Sequence, residues 1–172
     1  FSLLAFQPWL LVSTAAQDGI ALHTHQRVHP VLFRYTENRL LTLEIQIPNA
    51  VLQLKSICFD LSGGDDIADL ASVKMSFQGD KVAFAGHSWT AEDSTLSNQL
   101  HYDFNDLDLP QGTTIIWLTC QLKPTANLRH KVDASCLQLI TTAVDTEITD
   151  DTPGVRKRIG YALRRQMDDD VH

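Results

Sequence analysis

The sequence predicts an all-β protein: an antiparallel, jelly-roll-like β-sandwich in a single domain. Three observations predict it. Apolar residues recur with period two in several short runs. Turn-forming residues separate those runs at short intervals. Between them no stretch sustains a helical repeat beyond a single turn. The 172 residues, 44% of them hydrophobic, suffice for one substantial core.

The first stretch, "FSLLAFQPWLLVSTAA", is apolar, uncharged and ends in small residues. It matches the apolar and cleavage regions of a secretory signal, and its rival reading is an extra apolar strand packed on the domain. Gln7 and Pro8 interrupt it, and it is too short for a membrane span. Export is the expectation for the chain, to the periplasm, the cell surface or the medium.

Next comes "HTHQRVH". On a strand His23 and His25 point to one face and could share a metal. His29 needs a bend to join them, and no acidic or thiol residue lies beside them in sequence. Exposed histidines on an edge strand are the preferred reading, and no metal or other cofactor is expected.

"HPVLFRY" is a strand candidate. In "LTLEIQI", Leu41, Leu43, Ile45 and Ile47 face one way, and Thr42, Glu44 and Gln46 the other, as on a strand with one wet face. "VLQLKSICFDL" follows after Pro48-Asn49. "SGGDDIADLAS" gathers carboxylates without the ligand spacing of a calcium loop, so a turn and a short helical turn capped by Asp65 or Asp66 are expected. "VKMSF" points Val73, Met75 and Phe77 inward, and "KVAFAG" is another strand candidate.

"GHSWTAEDST" leaves that strand for a polar loop. It lacks the second glycine of a nucleophile elbow. Its Trp89, with His87 two residues before, suits a different task, because an exposed loop tryptophan offers a π-face to the C–H side of a sugar ring. "LHYDF" turns Leu100, Tyr102 and Phe104 inward. Beyond the "LPQGT" turn, "TTIIWLTCQL" is apolar on both sides, which predicts a central strand with Trp117 in the core. "SCLQLITTAV" closes the set. The core is expected to contain Leu41, Leu43, Ile45, Ile47, Val73, Phe77, Leu118 and Cys120.

Residues 145–158 are polar, with Pro153-Gly154 at their centre, and read as a linker. The domain organisation is therefore an apolar segment over 1–19, a sandwich over 20–144 and a linker over 145–172. "RIGYALR" alternates again and could be a strand of another unit.

The net charge is −7 with only 14 Lys and Arg, the wrong sign for an electrostatic nucleic-acid binder. Cys58, Cys120 and Cys136 are odd in number and widely spaced, and are read as small buried hydrophobes. No phosphate loop and no catalytic motif survives this reading, so the chain is not expected to be an enzyme by itself.

The C-terminal "TPGVRKRIGYALRRQMDDDVH" resembles the junction before the catalytic propeller in bacterial sialidases of the gut Bacteroides type. Arg158-Ile159-Gly160 and Arg164 are similar to its R-I-G-x-x-L/V-R segment, and Asp168 to Asp170 to the acidic stretch that follows. Val171-His172 would stand directly before the F-R-I-P motif. The Trp117 strand with "CQLKP" after it, and the strand around "SCLQLI", resemble the N-terminal module of those enzymes. The resemblance spans roughly residues 20 to 172.

What it implies is a sandwich that binds sialylated, mucin-type glycans and works beside a C-terminal propeller of the same parent chain. No position matches the tyrosine nucleophile, its carboxylate partner or the arginine triad, so no catalytic residue is carried over. Arg156, Arg158, Arg164 and Arg165 are linker arginines by this comparison. The ligand contacts expected are Trp89 as the stacking residue, with His87, Arg34 and Tyr102 as polar neighbours. Arg34 would supply the donor that a sialoside carboxylate needs. The other reading is a purely structural module that supports the propeller and binds no sugar.

Overall fold

Alternation of apolar and polar side chains builds the first layer. In a computed structural model, which describes residues 20–26, 28–48, 51–79, 90–93, 95–142, 145–147 and 156–161, strands β1 (Ala21–His25), β3 (Asn38–Ile47), β5 (Leu70–Gly79), β6 (Thr90–Asp93) and β8 (Gly112–Leu122) form one sheet. Its order is β1-β3-β8-β5-β6, and every neighbouring pair is antiparallel. A second antiparallel sheet runs β11-β10-β4-β7. Its members are β4 (Leu52–Asp60), β7 (Gln99–Leu109), β10 (Ser135–Thr141) and β11 (Asp145–Glu147).

The inner faces of these sheets meet in one hydrophobic cluster. Phe77 of β5 meets Phe104 of β7 edge to face, with ring centroids 5.8 Å apart, a contact that spans the two layers. All eight core positions expected from the alternation are buried. Each leucine or isoleucine so covered contributes about 1.5–3 kcal/mol relative to exposure. The predicted sandwich is therefore the observed fold.

The helical turn is present as a single 3₁₀ turn, Ile67–Asp69, and Asp66 is its cap: the Asp66 carboxylate accepts from the Ala68 amide at 2.8 Å. Cys120 and Cys136 are buried and Cys58 half-buried, all as free thiols. Burial pushes the Cys120 thiol up to about 12. In the "LPQGT" turn Gly112 has a φ of 109°, a left-handed conformation that favours glycine.

Two sequence expectations meet a different outcome. The stretch read as a linker contributes strands to this fold. β11 pairs with β10, and β12 (Lys157–Gly160) lies between β2 (Val31–Leu32) and β9 (Lys131–Val132) in a third small sheet. Ile159 and Lys157 are buried there. Arg156 pairs with Asp65, whose other oxygen accepts the Lys131 amide at 2.8 Å. That amide bond is the largest cause holding the Asp65 carboxyl below its ordinary value, with Arg156 adding to it. The "RIG" strand thus belongs to this module.

Trp117 is the other correction. β8 is central in its sheet, but the face carrying Trp117 is the outer one, and the indole is only half-buried. Residues 1–19 and the "KVAFAG" strand candidate lie outside the described residues.

Candidate functional site

The outer face of the five-stranded sheet is read row by row from its register. One row joins Thr42, Trp117, Ser76 and Thr90 across β3, β8, β5 and β6. The next joins Arg39, Thr119, Lys74 and Glu92. Arg39 reaches this face through a bulge. Arg39 pairs with Thr119 and Leu41 with Leu118, so Leu40 is the extra residue, and Leu40 and Leu41 are both buried. Without the bulge Arg39 would share the parity of Leu41 and Leu43 and face the core.

The side chains brought together form a cleft of about 270 Å³ lined by Glu37, Arg39, Lys74, Ser76, Trp117 and Thr119 among others. The Arg39 guanidinium lies 4.0 Å from the centre of the Trp117 ring, a cation–π contact. Lys74 Nζ donates to Glu37 Oε1 at 3.1 Å. Thr119, nearly buried beneath, donates its hydroxyl to the Lys74 carbonyl. Among the described residues that line it, two are cations, Arg39 and Lys74, and one is a carboxylate, Glu37.

A second hollow of about 470 Å³ adjoins it and shares Glu37 and Arg39 in its lining, together with His29, Tyr35 and Asn38. Asn38 fixes its shape. The buried Asn38 amide accepts from Leu32 N at 2.7 Å and donates to the Leu32, Tyr35 and Cys120 carbonyls. It thereby pins the turn over 32–35 to the sheet. Arg34 stands in that turn, exposed, with a φ of 62°, a conformation uncommon for a side-chain-bearing residue.

The four residues expected at a ligand are placed as follows. Arg34 is exposed in its pinned turn. Tyr102 is 6% exposed, with its ring edge-on to Phe59 at 6.1 Å, inside the sandwich. The alternation of "LHYDF" is therefore what governs it. His87 and Trp89 lie outside the described residues; Thr90, the next residue after Trp89, pairs with Ser76 in the Trp117 row.

His23 and His25 are exposed on the edge strand β1, and His25 Nε2 lies 3.4 Å from a Glu44 oxygen. Among the described residues no group of three or more histidine, cysteine or acidic side chains could hold a metal ion. Nor, among them, is any helix long and apolar enough to cross a membrane.

Arg39, Lys74 and Glu37 were not singled out by the sequence reading. The usable signal was the doublet Leu40-Leu41, two consecutive apolar residues at the start of an alternating strand, which marks a bulge and inverts the face of whatever precedes it.

Comparison with known proteins bears on the family and the fold. The family model for the N-terminal domain of BNR-repeat neuraminidase matches residues 17–143. No curated protein sequence matches the chain. Among solved structures, the Hadza microbial sialidase Hz136 is similar in fold, with a TM-score of 0.63 and 13% identity. The match covers 80% of this chain and 31% of that one, so the chain spans about a third of that sialidase.

Proposed function

The chain belongs to the family of N-terminal domains of BNR-repeat neuraminidases, and from that premise we propose that it is a non-catalytic carbohydrate-binding module of an exported sialidase. It holds the enzyme on sialylated, mucin-type glycans and raises the local substrate concentration seen by the propeller that shares its parent chain. The observation that carries this reading is the outer sheet face, where a half-exposed tryptophan, an arginine and a lysine share one cleft. A concave site with a few placed polar and charged groups is what orients a ligand.

Trp89 is proposed as the stacking residue, with His87 and Arg34 as polar neighbours. What supports this is its sequence setting, a tryptophan in a polar stretch that follows a strand candidate. Trp has only two side-chain torsions, so covering a sugar face with it costs little entropy. A glycan array probed with the isolated chain tests the proposal. Preferential retention on sialylated over desialylated glycans is expected, and equal, background-level signals on both would overturn it.

The structural-module reading also has an observation in its favour. The junction strand β12 is hydrogen-bonded on both edges, and Lys157 is 2% exposed. A segment held this firmly would transmit the orientation of the sandwich to whatever follows it. Support and sugar binding are compatible in one module, and the array separates support alone from both together.

A further inference from the structure

We infer that Arg39, laid on the Trp117 ring, is the receptor for the carboxylate of the bound glycan, with Lys74 as its second cation. The inference rests on the carbohydrate-binding reading and names the part of the ligand that this cleft takes. The clue lies in what Arg39 does not do. It is exposed, and the Trp117 ring holds it at 4.0 Å. Among the described residues no carboxylate, carbonyl or hydroxyl accepts a hydrogen bond from its guanidinium, although Glu37 lines the same cleft. Glu37 is committed to Lys74 at 3.1 Å.

An arginine held over an aromatic ring is restrained in place, and its N–H donors remain for a ligand. A guanidinium takes a carboxylate through two parallel bonds. Restraining the head group beforehand removes part of the ordering cost of binding. The guanidinium also covers the indole face, so Trp117 acts here as the positioning residue for Arg39 and not as the platform for the sugar ring.

Lys74 supplies the second charge in a way that favours exchange. Its side chain is 33% exposed and that of Glu37 63%, so their ion pair sits at the surface, where such pairs contribute little. A ligand carboxylate can take the place of Glu37 at Lys74 without leaving a buried charge unpaired. A terminal sugar with a carboxylate on its ring and a polyhydroxy tail meets these requirements. The same sugar chain without the acid gives Arg39 no acceptor and leaves Lys74 with Glu37.

Amide NMR titrations with 3′-sialyllactose and with lactose test the inference on the wild-type chain, Arg39→Gln and Arg39→Lys. Wild-type chain is expected to bind sialyllactose at least about tenfold more tightly than lactose, which is about 1.4 kcal/mol. Arg39→Gln should lose about tenfold in sialyllactose affinity and nothing in lactose affinity. Arg39→Lys, which keeps the charge and loses the fork, should recover only part of the loss. Trp117 indole shifts should accompany wild-type binding. Arg39 is exposed, so an unchanged amide spectrum before ligand is added confirms that each variant is folded. If the variants bind sialyllactose as the wild type does, the carboxylate receptor is overturned and the glycan-binding reading stands. If lactose binds as tightly as sialyllactose, the same conclusion follows. If the wild type responds to neither sugar, both readings fall.

Discussion

The ammonium of Lys157 donates to the carbonyl oxygen of Leu40 at 2.8 Å, across 117 residues of chain. Leu40 is the extra residue of the bulge that turns Arg39 to the outer face. The junction strand and the candidate site are thus fastened at one point of β3. The bulge leaves that carbonyl outside the regular ladder, and a buried cation meets it.

Burial lowers the pKa of Lys157 from the ordinary value of 10.5, with Asp133 and then Cys120 opposing the shift. A lysine lowered in the folded state binds its proton less there than in the unfolded chain. Between the folded value and 10.5 the unfolded state therefore holds more proton, and stability rises with pH. Urea unfolding of wild type and Lys157→Met at several alkaline pH values below 10.5 should show the wild type gaining on the variant as pH increases. A difference that stays flat, or that shrinks with pH, would contradict this.

Leu43 is 1% exposed in the middle of β3, opposite Ile116 of β8. Leu43→Ala should lower unfolding stability by about 2–5 kcal/mol, combining lost transfer energy and an unfilled cavity. Chemical denaturation measures it. A loss under about 0.5 kcal/mol, the range of an ordinary surface substitution, would mean that the side chain is not in the core.

The chain belongs to the family of N-terminal domains of BNR-repeat neuraminidases, and the role proposed for it includes no chemistry of its own. Purified chain should release no fluorophore from a fluorogenic sialoside above a buffer blank. Release that grows with chain concentration would place catalytic groups in this module.

The sandwich was legible because long strands with one buried face print their period into the sequence. "LTLEIQI" and "VKMSF" gave the right inward residues without any structural knowledge. What was illegible followed from short range. β9 has only two residues and carries no period, the alternation in "RIGYALR" could not say which unit its strand joins, and Lys157 looks like a solvated charge until the fold buries it. Trp117 misled because apolar residues on both sides of β8 suggested two buried faces. On one of those faces the Arg39 guanidinium lies over the Trp117 ring, and the ring stays half-exposed. Of the candidate site, Arg34 was found in an exposed turn and Tyr102 in the core, whereas Arg39 was hidden by a parity that the bulge inverts.

Titration of the isolated chain with sialyllactose, followed by amide NMR shifts, tests the central claim most directly. A single shallow site should give a dissociation constant on the order of 0.1–1 mM, about −4 to −5.5 kcal/mol. Trp89→Ala should weaken that isotherm; an unchanged isotherm would remove Trp89 from the site. Saturable shifts in this range are the predicted result, and a wild-type spectrum unmoved at about 10 mM ligand, a tenfold excess over the weakest predicted constant, would contradict the account and leave the structural role alone standing.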